Sequence, residues 1–339
     1  MKTTEVLLMK YNMKEWLNSL PDTRRPLPLL SFPSSQLIGA SVYLITHDPK
    51  VQTEGILQIA RETNAAAAVC MMDLSVEAEA FGCSIIAEEN EVPTVTGILI
   101  ADEEEAHTLQ IPSVGTGRTG LYIEAAGNAA EQITDRPVLA GIIGPFSLAG
   151  RLMDVSEALV NCLVDEDFVL AALQKTTAFL IEYAKAYKAV GVNGLVMAEP
   201  LSGLLSPALE KVFSAPYVKQ IIEAVQDENF IIIYHNCGPN ISDMTESLAG
   251  NGAAAYHFGD AVDLVDMLKA MPADKPVCGN ISPAGKFASG TPEDMFKDVR
   301  NLMERCAGYP NFVLSSGCDI PPSAKWENIR AFFAAAEQK

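Results

Sequence analysis

The amino-acid sequence predicts an α/β fold: a (β/α)8 barrel with an N-terminal helical lead-in and an irregular insertion after the second strand. Eight short apolar runs carry the prediction, starting near residues 28, 66, 138, 193, 230, 254, 276 and 312. From the third onward they alternate strictly with longer helical stretches, as strands and covering helices do in a parallel sheet. No Gly-x-Gly-x-x-Gly follows any of them, which weighs against the rival doubly wound open sheet. The 339 residues suit eight β/α units, so a single domain over 1–339 is expected.

In chain order, Met9 to Leu20 mixes apolar and polar residues near helical period, and Pro21 should end that helix. Pro26 to Pro33 is a strand candidate hemmed by prolines. Val51 to Thr63 reads as a helix with Ile56, Leu57 and Ile59 on its core side. Ala65 to Met72 is apolar throughout, a buried strand leading into Asp73. Cys83 to Ile100 reads as the irregular insertion, with short strands at Ile85-Ile86 and Val95. A polar segment with Gly115, Gly117 and Gly120 follows. Val138 to Ile143 is a strand ending in Gly144-Pro145-Phe146-Ser147, and Glu166 to Tyr187 a long helix. Val192 to Ala198 is a strand ending at Glu199-Pro200. Pro207 to Val225 reads as one helix with proline at its first position. Phe230 to Tyr234, Ala253 to Phe258, Val277 to Gly279 and Phe312 to Ser315 are the remaining strands. Their helices are Asp243 to Ala249, Val262 to Met271, Glu293 to Cys306 and Trp326 to Glu337.

Composition removes several function classes. The chain is 49% hydrophobic with mean hydropathy +0.15, enough for a sizeable core. Its net charge is −19 and no Lys/Arg run exists, so nucleic acid and anionic membranes are not expected partners. The acidity reads as a well-solvated surface or as a face for a basic or neutral protein. No apolar run reaches the roughly 18 residues that cross a bilayer. The seven cysteines are odd in number and scattered, and Met1 to Glu5 lacks an apolar leader. Reduced thiols and a cytoplasmic location follow as expectations.

Polar residues gather at the C-terminal tips of the strands: Asp73, Glu199, His235, Cys237, Asp260, Asn280 and Cys318. In a barrel those tips share one face, where active sites lie. Phe230 to Tyr234 runs straight into His235-Asn236-Cys237, and along a strand residues two apart point the same way. Imidazole and thiolate are ligand types that Zn²⁺ favours. Alone, His-x-Cys is also what a packed histidine and a buried free cysteine look like. Cys318, at the last strand's tip in Ser315-Ser316-Gly317-Cys318-Asp319-Ile320-Pro321-Pro322, supplies a third donor. Three N/S ligands leave a fourth position open, as catalytic zinc sites do.

At this point the residues resemble a known family. His235-Asn236-Cys237-Gly238 and Gly317-Cys318-Asp319-Ile320-Pro321-Pro322 are similar to the zinc motif of cobalamin-dependent methyltransferases of the uroporphyrinogen decarboxylase superfamily, closest to those that methylate coenzyme M. Gly144-Pro145-Phe146-Ser147-Leu148, Glu199-Pro200 with Ser206-Pro207, and Gly279-Asn280-Ile281 resemble further segments in matching order. The likeness covers about 137 to 339 well and the N-terminal part more loosely. It implies a TIM barrel with one Zn²⁺ on His235, Cys237 and Cys318. It implies a small thiol substrate such as coenzyme M, and methylcobalamin or a methylated corrinoid protein as methyl donor. Zinc would turn the thiol, with an ordinary pKa near 8.5, into a thiolate at neutral pH. The cobalt–carbon chemistry belongs to the corrinoid.

Two carboxylates are candidates for a catalytic role at the open zinc position before thiol arrives, Asp260 first and Glu199 second. Asp260 reads equally as a helix N-cap, and Glu199 as a hydrogen-bond acceptor behind the ligands. Asn280 and Asp73 are expected to line the pocket on the cofactor side, with Asp73 reading equally as a turn residue. His257 reads as a core or rim histidine, and the other five cysteines as packing. The sequence departs from uroporphyrinogen decarboxylase itself, whose N-terminal arginine motif has only Asp22-Thr23-Arg24-Arg25 opposite it. Action on a tetrapyrrole, methyl transfer to tetrahydrofolate and non-enzymatic corrinoid or metal binding stand as alternatives.

Overall fold

A computed structural model describes residues 11–338 of the chain. Seven parallel strands form one curled sheet. They are β1 (Ala68–Val69), β4 (Val138–Ile143), β5 (Gly194–Ala198), β6 (Ile231–Asn236), β7 (Ala255–Phe258), β8 (Val277–Ile281) and β9 (Phe312–Ser316). Their spatial order is β1-β4-β5-β6-β7-β8-β9, so each new strand is laid beside the last. β2 (Ser84–Ile86) and β3 (Thr94–Thr96) form a separate antiparallel hairpin, which is the irregular insertion expected after the second strand.

The residue-by-residue alternation of the strands sorts their side chains into two cores. Leu139, Val196, Ala198, Ile231, Ile233, Ala255, Cys278 and Val313 pack together on the concave side. Their neighbours Ala140, Leu195, Met197, Ile232, Tyr234, Tyr256, Phe258, Val277 and Leu314 pack outward against the helices. The lead-in helix, Met13–Thr23, closes the bottom of the concave side with Met13, Leu17 and Leu20. Residues 9 and 10 of its expected span lie outside the described residues. Pro21 does not end this helix. It falls in the last turn, where the lost N–H removes one bond only, and the chain turns out at Arg24 (φ 56°).

The strand expected at Pro26 to Pro33 makes only fragmentary ladders. Leu27 donates its N–H to the Leu314 carbonyl (2.9 Å), while the Pro26 carbonyl accepts from Ala66 (2.8 Å). This segment therefore spans the gap between the two edge strands, β9 and β1. Pro26 and Pro28 lack the N–H groups that would bond toward β1, which is why regular pairing does not develop there.

The helices depart from expectation in three places. Thr119–Gln132 is helical where a polar glycine-containing segment was expected. Pro145–Met153 and Val155–Val164 form helices directly after β4. The single helix expected over 207–225 is two, Pro207–Phe213 and Ala215–Val225, broken at Ser214 beside Pro216.

Candidate metal centre

The concave-side positions of β6 continue upward from Ile231 and Ile233 to His235 and then Cys237. His235 is buried (2% exposed) and Cys237 half-buried. Cys318 enters from the loop after β9, also half-buried. Its Sγ lies 3.4 Å from His235 Nε2 and 4.0 Å from Cys237 Sγ. All three donor atoms lie within 4.8 Å of one another, the only such group of three among the described residues. Tetrahedral zinc, with Zn–S about 2.3 Å and Zn–N about 2.0–2.1 Å, requires edges of about 3.8 Å between sulfurs and about 3.6 Å between sulfur and nitrogen. The donor set and its spacing therefore fit that ion.

Two glycines allow the crowding. A Cβ on Gly259 would lie 2.5 Å from Cys237 Cβ, and one on Gly317 would lie 2.8 Å from the Asp260 nitrogen. Only a residue without a side chain lets these loops close around the site.

The thiols here differ from the rest. Cys237 is pushed down to about 4, first by the hydrogen bond from Cys318 and further by the His235 imidazole beside it. Cys318, the donor in that bond, is pushed up correspondingly. Burial is the largest cause that pushes Cys70, Cys162 and Cys278 up to about 12, and Cys83 and Cys306 to about 11.

Of the carboxylates, Asp260 sits beside the triad and Glu199 does not. Asp260 is exposed, with its backbone nitrogen and Oδ1 against Gly317. It is no helix cap, because Asp263 caps Leu264–Ala270 by accepting from Val265 N–H (2.8 Å). Glu199 follows Leu195 and Met197 on the outward face of β5. Its carboxylate accepts from the backbone N–H groups of Phe146 (2.8 Å) and Ser147 (3.1 Å) and from Ser214 Oγ (3.1 Å). The two N–H groups are unpaired donors at the start of helix Pro145–Met153. The direct-ligand reading of Glu199 is thereby corrected: it is a buried acceptor on the far side of the strand.

Asn280 lies on the site side, and its Nδ2 donates to the carbonyls of Gly259 (2.9 Å) and Val262 (2.8 Å). It clamps the loop that carries Asp260. Asp73 is buried and fully engaged. It pairs with Arg118, accepts from Tyr122 Oη (2.8 Å), and turns the chain by accepting from Ser75 N–H (3.0 Å). It is a turn and ion-pair residue with no oxygen free for a cofactor.

Sequence reasoning set aside His257, which the structure brings into contact with the site. It pairs with His235 in register across β6 and β7, and the two rings meet edge to face at 4.7 Å. Burial, then the neighbouring His235, hold its pKa well below the usual histidine range. The signal was in the strand parity: His257 follows the concave-side Ala255 as His235 follows Ile233.

The family model described as "Uroporphyrinogen decarboxylase (URO-D)" matches residues 31–339. A methylcobamide:CoM methyltransferase, MtbA, of Methanosarcina acetivorans is 26% identical over 271 residues, 78% of this chain and 77% of that protein. A uroporphyrinogen decarboxylase of Legionella pneumophila is 25% identical over 301 residues, 86% of this chain and 84% of the relative. Among solved structures, a methyltransferase from Methanosarcina mazei shares the fold with a TM-score of 0.84 at 22% identity, covering 96% of this chain and 98% of that one. The match over 31–339 establishes that the chain belongs to the uroporphyrinogen decarboxylase family.

Proposed function

We propose that the chain is a zinc-dependent methyltransferase that moves a methyl group from a methylated corrinoid, free or on a corrinoid protein, to a small thiol such as coenzyme M. The observation that carries this reading is the His235–Cys237–Cys318 triangle, whose edges suit tetrahedral zinc and whose two sulfurs are half-buried rather than sealed. A structural zinc site would be closed by a fourth protein ligand. The similarity to proteins named for methyl transfer to CoM supports the substrate class.

On this reading His235, Cys237 and Cys318 hold the metal. When bound, zinc supplies a Lewis acid that keeps a substrate thiol deprotonated at neutral pH. Asp260, at the rim beside Gly317, would be the carboxylate placed to fill the open corner before a thiol arrives. Asn280 fixes the loop that presents Asp260. We further propose a single-domain, closed eight-unit barrel in which Pro26–Leu29 serves as the first strand between β9 and β1. The mouth then opens where β6, β7, β8 and β9 end.

The decarboxylase reading finds less support in the residues. Arg25 binds the carbonyls of Asn64 and Ala65, at the opposite end of the strands from Cys237. Arg118, buried near Asp73, is already paired with Asp73 and Glu79. Neither is free to hold a tetrapyrrole carboxylate at the mouth.

The test is metal analysis with a methylcobalamin demethylation assay against a panel of thiols. We expect one zinc per chain and thiol-dependent loss of the methyl group. Cys237→Ala and Cys318→Ala should each lose zinc and at least about 100-fold in turnover, as expected when a ligand itself is removed. Full zinc occupancy with no turnover for any thiol would refute the methyltransferase assignment.

A further inference from the structure

We propose that His257 is a positioning residue: with Ser315 and the Leu27 carbonyl it forms a hydrogen-bond relay that holds the proton of His235 on Nδ1 and leaves Nε2 bare toward Cys318. The inference rests on the zinc reading above for its purpose, but its geometry stands without a metal.

The direction of each bond follows from what each group can do. The Leu27 carbonyl can only accept, so the single hydroxyl proton of Ser315 points at it (2.6 Å). Ser315 Oγ then has only lone pairs to offer His257 Nε2, 2.7 Å away, so that nitrogen carries the proton. A neutral imidazole has one N–H, which makes His257 Nδ1 an acceptor. The group it faces at 2.8 Å is His235 Nδ1, which must donate. The His257 carbonyl, 3.3 Å from the same nitrogen, is a second acceptor and agrees. His235 Nε2 is left with its lone pair, 3.4 Å from Cys318 Sγ.

With both imidazoles neutral, any other placement of the protons along Leu27, Ser315, His257 and His235 Nδ1 sets two N–H groups or two lone pairs against each other in a buried space. His235, His257 and Ser315 are each 2% exposed or less, so water cannot relieve the clash. Such outer partners orient a ligating histidine and raise its basicity, and their loss weakens metal binding by about 10–100-fold. A histidine bonded through Nδ1 to a second histidine, rather than to a carboxylate, also adds no negative charge. The centre then keeps the charge set by its two thiolates.

The experiment has two readouts, zinc affinity by chelator competition and the tautomer of His235 by nitrogen-15 NMR of the metal-free chain. Wild type should show His235 protonated on Nδ1. His257→Phe, which keeps the ring but removes the acceptor, should bind zinc about 10–100-fold more weakly and populate the Nε2-protonated form. His257→Asn, whose Oδ1 can accept from His235, should recover most of the affinity. Ser315→Ala should mix the tautomers of both histidines, and it decides the matter if His257→Phe does not fold. Zinc affinity within about twofold of wild type in His257→Phe, with His235 still protonated on Nδ1, would overturn the relay. A wild-type chain that takes up no zinc would sink the function reading instead, and the metal-free tautomer would still decide the relay.

Discussion

At the scale of single residues, the centre works by making two of seven chemically identical thiols different from the rest. Cys237 is the more readily ionised thiol, its pKa pushed down because Cys318 donates to it and His235 lies beside it. The five remaining cysteines are buried with raised pKa values. Iodoacetamide at about pH 6 should therefore label the metal-free chain once, at Cys237, because the thiolate is the nucleophile. Intact mass and Cys237→Ser check this, and zinc should slow the labelling. Equally fast labelling of a buried cysteine would show that the electrostatic contrast is absent. The convergence of His235, Cys237 and Cys318 was legible at this scale because imidazole and thiol at strand tips have few other uses in combination. His257 was not, since a histidine near a filled imidazole site looks like packing until strand register sets it beside His235.

At the scale of elements, the sequence revealed strands better than helices. Apolar runs such as Phe230 to Tyr234 are strands that β-rich composition and flanking breakers mark out. Helix Thr119–Gln132 escaped because Gly120, Gly127 and a run of alanines give it little contrast between faces. The break at Ser214 escaped because Pro207 and Pro216 both satisfy the rule for a first helical turn. Of the two readings of Glu199, the strand itself favours the hydrogen-bond acceptor: Val196 and Ala198 face inward, so 199 faces out. Two buried carboxylates join elements on that outer side. Glu77 of helix Val76–Phe81 accepts from Ile143 N–H at the end of β4 (3.0 Å), and Glu199 holds the start of the next helix. Burial pushes them up to about 8 and about 7. Both folded values exceed the unfolded one, so folding favours the protonated forms. Their contribution is whole below about pH 4.5 and is lost as pH rises through about 7 and 8. Cys237 and His257, whose folded values lie below their unfolded ones, pull the other way over the same range, so the test is a difference. In urea unfolding, the stability of wild type relative to Glu77→Gln should fall by about 1–3 kcal/mol between about pH 5 and pH 8, and a constant difference would count against this account.

At the scale of the molecule, one interior is divided by height. Met13, Leu17 and Leu20 seal its lower end, aliphatic side chains fill the middle, and the polar triad and relay crown it. Leu20→Ala should cost about 2–5 kcal/mol through the cavity it leaves, measured by thermal or urea unfolding, with zinc affinity unchanged. A coupled loss of affinity would mean that bottom and mouth are not independent. The seam at Leu27 adds a consequence in time. The Leu27 carbonyl that anchors Ser315 lies 288 positions upstream of it, and Cys318 follows three residues later. While the ribosome is still making the last strand, the nascent polypeptide offers a metal only the pair at 235 and 237, and two donors grip weakly. A third donor arrives only once residue 318 has been made and the segment at Leu27 has met the last strand.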